Sequence, residues 1–226
     1  MAETTYQVGD RRPIASRKRR VFIAMAHFLA RRGVSANAIS VVGMLCGIAA
    51  GVMLVLTAHF TGLEQRIAWL AAAVLIQLRL LANMLDGMVA VESGKASPLG
   101  ELYNEIPDRI SDAVTLIGAG YAAGADPILG YIAATVAVFV AYVRAEAKVA
   151  GAPQDFCGPM AKQQRMAIVT FVALYLALAP PVGQPLWRNR WGLTALALII
   201  IIVGGLFTAA RRIFRAARHL KRKASP

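Results

Sequence analysis

The chain has 226 residues, of which 58% are hydrophobic and only 16% charged, and its mean hydropathy is +0.55. A soluble domain of this length has no need of so much apolar surface, so an integral membrane protein is expected. The net charge of +13 is concentrated at the two ends, with eight cations from Arg11 to Arg32 and seven from Arg211 to Lys223. Each block adjoins an apolar stretch, which assigns it to anionic head groups and the positive-inside rule and argues against nucleic acid as a partner. Two cysteines, Cys46 and Cys157, lack metal-ligand spacing, and neither a disulfide framework nor a zinc site is expected.

The chain opens polar and then basic, without a compact apolar region ending in a cleavage site, so no removable signal peptide is predicted. From Ile14 to Arg32, Val21, Phe22, Met25, Phe28 and Leu29 recur among basic residues at helical spacing. That pattern suits an amphipathic helix lying in the membrane interface. It ends at Gly33, and Ser35 or Asn37 can cap the helix that follows.

Stretches of about 20 apolar residues, the length that crosses about 30 Å of hydrocarbon, occur six times. They cover 37–58, 67–91, 98–122, 127–149, 165–183 and 192–212. The expected fold is therefore all-α: six transmembrane helices preceded by an interfacial helix. A basic arm would occupy 1–35, the membrane domain 36–213 and a basic tail 214–226. An even number of spans puts both termini on one side, which the terminal charges make cytoplasmic. The connections near Lys95 and Lys162 then face inward, and those near Arg66, Asp126 and Arg188 face outward. Gly43, Gly47 and Gly51 make a small-residue stripe for close helix packing.

Half of the twelve acidic residues lie between Asn83 and Asp112, within an otherwise apolar region. A carboxylate at membrane depth is costly unless paired, hydrated or bound to metal, so the cluster reads as a working site. Residues three and four apart share a helix face. Asn83, Asp86, Gly87 and Ala90 form one stripe, and Gly100, Asn104, Asp108 and Asp112 form another. The short linker 92–97 makes their helices antiparallel neighbours, so the stripes can face one another. Carboxylate and amide oxygens of this kind suit hard divalent cations. Gly87, Ala90 and Gly100 clear space for an elongated ligand. A cation, a carboxylate and a cleared slot point to phosphoryl chemistry.

From Asn83 the residues run N-x2-D-G-x2-A-V-x8-G-x3-N-x3-D. This resembles the signature of the CDP-alcohol phosphotransferase family, D-x2-D-G-x2-A-R-x8-G-x3-D-x3-D, at unbroken spacing. The resemblance implies a six-helix membrane enzyme, commonly a homodimer, using Mg²⁺ or Mn²⁺. It would move a phosphatidyl group from a CDP-linked lipid donor to a hydroxyl acceptor and release CMP. By position, Asn83, Asp86 and Asn104 fall where the family has metal ligands. Asp108 falls at the family's general base, and Gly87, Ala90 and Gly100 fall where the cytidine nucleotide packs.

Three positions depart from the pattern, because Asn83 and Asn104 replace aspartates and Val91 replaces an arginine. An amide oxygen still ligates a hard cation, but losing two negative charges weakens a two-metal site. Glu101 and Glu105 are candidates to restore charge, and Arg109 is a candidate for the missing arginine. Asp112, one turn beyond Asp108, is a candidate metal ligand or supporting group. Arg144, in YVRAEA, resembles a family arginine at the same helix end; with Lys162 and Arg165 it is a candidate for binding a phosphorylated alcohol. Arg79 is either a snorkelling side chain or a partner for the acids, pairing being favoured at this depth. Two other readings are a catalytically silent relative that binds a CDP-lipid or a partner, and a small ion transporter.

Overall fold

The computed structural model describes residues 19–94, 98–179 and 191–224. Within them lie α1 (Arg20–Arg31), α2 (Ala36–Leu56), α3 (Gly62–Glu92), α4 (Pro98–Gly120), α5 (Pro127–Val149), α6 (Lys162–Leu178) and α7 (Leu193–Ala224). The expectations for Ile14 to Lys18, Lys95 and Arg188 fall outside the described residues.

The expectation of six transmembrane helices is corrected by these elements. Among the described residues, four helices are long and apolar enough to cross a membrane: α2, α3, α5 and α7. The reason is polar content in α4, which carries Glu101, Glu105, Asp108, Arg109 and Asp112 and keeps only Ala113 to Gly120 as an uncharged remainder. In α6 the reason is length. Its 17 residues rise about 26 Å, short of about 30 Å of hydrocarbon, and its first turn is Lys162, Gln163, Gln164 and Arg165. Conversely, α3 has 31 residues and a rise of about 46 Å, so it can cross and still project its polar last turns.

The chain divides into two compact units, Met1–Cys46 with Gln77–Ser111, and Gly47–Ile76 with Asp112–Pro226. In the first, α1 ends at Gly33, whose φ of 73° suits a residue without Cβ. The Val34 N–H then reaches back to the Leu29 carbonyl at 3.1 Å, and the Ser35 hydroxyl oxygen accepts from the Ala38 N–H at 3.1 Å to cap α2. Ala26 packs with Ile39, Leu85 and Val89, flanked by Met25, Leu29 and Val34. This fixes α1 against the last turns of α3, and His27 adds a 3.1 Å contact to Glu92. Val21 and Phe28 of α1 remain exposed beside Arg31 and Arg32, the surface an interfacial helix requires.

The second unit is held by small residues. Lipid tails are as apolar as leucine, so helices associate there by close backbone approach and hydrogen bonds. A Cβ on Gly118 would lie 2.7 Å from Gly51 Cα, and Thr115 donates its hydroxyl to the Gly47 carbonyl at 3.2 Å. Gly120 and Gly130 make a second close approach, with a Cβ on Gly120 falling 2.7 Å from Gly130 Cα. Asp126 caps α5 by accepting from Ile128 N–H at 2.8 Å, with Pro127 at the first helical position. Further along, Val136, Val140 and Val143 pack on Ala209 of α7. Gly118→Ala is expected to cost about 1–3 kcal/mol by forcing these backbones apart, read as a lower Tm in detergent with helical content unchanged below it.

Candidate active site on α3 and α4

Asn83 and Asp86 of one stripe meet Asn104 and Asp108 of the other within the first unit. Asn83 donates through Nδ2 to Asn104 Oδ1 at 2.9 Å and to Asp108 Oδ1 at 2.8 Å. Asn104 Nδ2 lies 3.5 Å from Asp86 Oδ1, at the limit of a hydrogen bond. The Gly87 N–H also donates to Asp86 Oδ1. Asp86 Oδ2 accepts from the Ser40 hydroxyl at 2.7 Å, and both residues are buried. One hydrogen-bonded chain thus ties α2, α3 and α4 together through two carboxylates and two amides.

Arg79 anchors its other end. It lies one turn before Asn83 on the same face and is 1% exposed. Its Nε donates to Ser111 Oγ at 2.8 Å, and Nη2 donates to the Asp108 carbonyl at 3.1 Å. Nη2 also stands 3.4 Å from Asp108 Oδ1. Of the two readings of Arg79, pairing is what the geometry contains. Pro107 precedes Asp108 within α4 and has no N–H for the ladder, which loosens the helix beside that carboxylate.

Gly87, Ala90 and Gly100 are all partly exposed, the first two on α3 and the third on α4. Glu105 is held by Arg109 at 2.8 Å, with half of its side chain exposed. Arg109 also lies 4.0 Å from Asp108 Oδ2. The Glu101 side chain is outside the described residues.

Asp112 belongs to the second unit. Its Oδ2 pairs with Arg165 Nη2 at 3.0 Å, both side chains being 2% exposed, and Arg165 Nη1 donates to the Met160 carbonyl at 3.0 Å. Arg144 stacks over the Phe156 ring at 5.5 Å from its centroid. Arg212, read in sequence as one of the head-group cations, is instead 5% exposed. It donates to the carbonyls of Cys157 and Val140, each at 3.0 Å, and so binds the α5–α6 loop to α7. In that loop the Cys157 thiol is pushed up by burial and by the Asp155 carboxylate it donates to. Burial also raises Asp155, but the Cys157 thiol and N–H, with Arg215 and Arg212, outweigh it and hold the carboxyl below its ordinary value.

Ser40, Ser111 and Arg212 are the polar residues that sequence reasoning missed. Only Ser40 left a signal, as a hydroxyl on an apolar helix near the end where the acids gather.

Residues 33–214 match the family model described as CDP-alcohol phosphatidyltransferase. The chain belongs to the CDP-alcohol phosphatidyltransferase family. Its general reaction is a CDP-lipid-dependent phosphatidyl transfer. A phosphatidylinositol phosphate synthase of Streptomyces avermitilis is 26% identical over 208 residues, covering 88% of this chain and 79% of that one. An archaetidylinositol phosphate synthase of Aeropyrum pernix is 32% identical over 155 residues, covering 62% and 75%. The fold is similar to that of Mycobacterium tuberculosis phosphatidylinositol phosphate synthase solved with CDP-DAG bound. The TM-score is 0.68 at 22% identity, covering 88% of this chain and 94% of that one. The same protein solved with manganese and citrate gives a TM-score of 0.67, covering 86% and 88%.

Proposed function

We propose that this chain transfers a phosphatidyl group from a CDP-linked lipid such as CDP-diacylglycerol to the hydroxyl of an alcohol, releasing CMP, with Asp108 as general base. The observation that carries the reading is the network joining Asn83, Asp86, Asn104 and Asp108, set beside Gly87, Ala90 and Gly100 at the family's spacing. In the proposed step the acceptor oxygen bonds to the phosphorus that carries the lipid. The bond from that phosphorus to the oxygen bridging to CMP breaks, and its electron pair leaves with CMP. The acceptor's proton passes to the Asp108 carboxylate. Arg79 engages Oδ1, fixing the carboxylate plane, and the proton is assigned to Oδ2.

Among the described residues no group of three or more His, Cys, Asp or Glu side chains can hold a metal ion. Asp86 and Asp108 supply two carboxylates, and the amide oxygens of Asn83 and Asn104 raise the hard oxygen donors to four. That set fits one divalent cation, Mg²⁺ or Mn²⁺, once the Asn83 and Asn104 amides turn their oxygens toward it. When bound, the cation offsets charge on the diphosphate and on the departing CMP. A phosphorylated alcohol is the proposed acceptor, supported by the names of the two relatives. Both basic ends and the site are proposed to face the cytoplasm, a reading supported by the charge distribution, and a homodimer is proposed from family membership.

The test is CMP release by purified protein in lipid, with CDP-diacylglycerol, Mg²⁺ or Mn²⁺, and a panel of polyols and polyol phosphates. Turnover that ceases with EDTA and returns with Mn²⁺ is the expected result. Turnover indifferent to chelation sinks the metal assignment. CDP-lipid binding without turnover of any acceptor makes the chain a silent binder.

A further inference from the structure

We infer that Arg79 is a built-in counter-cation of the Asp86 and Asp108 site, and that its charge, together with the neutral amides of Asn83 and Asn104, limits the site to one divalent cation per chain. The inference rests on the phosphatidyl-transfer reading only in taking this oxygen network as the cation's place.

A guanidinium that is 1% exposed on a membrane-crossing helix persists only if its charge and donors are matched. Arg79 is matched by this network, through Ser111 Oγ, the Asp108 carbonyl and Asp108 Oδ1. The same Oδ1 takes the Asn83 amide at 2.8 Å. One carboxylate oxygen therefore receives two donors from successive turns of α3, one charged and one neutral. At the other end Asp86, 2% exposed, has Oδ2 satisfied by Ser40.

Charge decides how many cations this arrangement accepts. Two carboxylates against the Arg79 guanidinium leave a net of one negative charge, because Asn83, Asn104, Ser40 and Ser111 are neutral and Arg109, 4.0 Å from Asp108 Oδ2, is itself balanced by Glu105 at 2.8 Å. One divalent cation takes the set to one positive charge. A second takes it to three, in a place where solvent hardly screens repulsion. With aspartates at positions 83 and 104, four carboxylates against the same Arg79 would leave a net of three negative charges, enough for a second cation. The two asparagines and the buried arginine therefore act together. The amides remove negative charge that a second ion would need, and Arg79 supplies positive charge that no ion can remove.

The experiment is a Mn²⁺ titration of purified protein in lipid nanodiscs, with free and bound Mn²⁺ read by electron paramagnetic resonance. Wild type is expected to bind one Mn²⁺ per chain without spin coupling. Arg79→Gln removes the fixed charge and is expected to tighten that site by about tenfold. Arg79→Lys keeps the charge while losing the fork and is expected to stay within about threefold of wild type. Asn83→Asp with Asn104→Asp is expected to admit a second Mn²⁺, with no need to disturb Arg79. A merely structural Arg79 would change melting in Arg79→Gln and leave Mn²⁺ affinity alone.

Two Mn²⁺ or none on wild type, or unchanged affinity in folded Arg79→Gln, overturns the inference. If Arg79→Gln does not fold, the wild-type stoichiometry and the double aspartate variant decide it. CMP release from the same samples separates the two readings. Turnover with two bound ions overturns only the role of Arg79, whereas one bound ion without turnover overturns only the transferase reading.

Discussion

Asp108→Asn is expected to lower kcat for CMP release by about 10³-fold, the middle of the range for loss of a positioned proton acceptor. The substitution keeps the size of the side chain and an oxygen at Oδ1 for the donors Asn83 and Arg79. What it removes is the carboxylate oxygen that takes the proton. KM for the CDP-lipid is expected to change far less, since the nucleotide is proposed to pack on Gly87, Ala90 and Gly100. Some stability is lost as well, because Arg79 loses a charged partner while retaining Ser111 Oγ and the residue 108 carbonyl. Rates are therefore compared below the variant's Tm on protein shown to be folded. A kcat within tenfold of wild type would remove Asp108 from the base position.

How much of this site was legible before folding depended on period. Asn83, Asp86, Asn104 and Asp108 could be paired across two helices because the helical repeat puts each stripe on one face and a short linker makes the helices neighbours. Ser40 offered only a hydroxyl on an apolar helix, and its pairing with Asp86 could not be read from that, since the contact spans 46 positions. Arg212 misled for a different reason. It sits in a run of cations that reads as head-group contact, and only packing shows that it is buried against Val140 and Cys157.

The fold was legible where apolar length was unambiguous and not where charge interrupted it. The runs at 37–58 and 127–149 correspond closely to α2 and α5. The run at 98–122 is α4, a helix as expected, but five charged side chains keep its first half out of the count of apolar crossings. The acids that identify the site are thus the feature that reduces the number of crossing helices. Small residues carried information at both levels, with Gly43 against Ala82 in one unit and Gly51 against Val114 and Gly118 in the other.

The second large effect is expected at Asp112 and Arg165. Arg165→Met alone should destabilise the protein by about 3–5 kcal/mol, because it leaves a carboxylate of 2% exposure without its guanidinium. For a chain of this length that is a fall of about 10 °C in Tm. Asp112→Leu with Arg165→Met removes both charges and is expected to recover most of the loss, since apolar side chains of similar volume often replace a buried ion pair at little cost. The double variant also separates two roles for Asp112. As a metal ligand, its loss would weaken Mn²⁺ binding. As the partner of Arg165, which is where the 3.0 Å contact places it, its loss together with Arg165 should leave Mn²⁺ affinity within about threefold of wild type, less than the ~1.4 kcal/mol that a tenfold change represents. A double variant that is stable and yet fails to bind Mn²⁺ would return Asp112 to the ligand set, and the cation would then draw on three carboxylates.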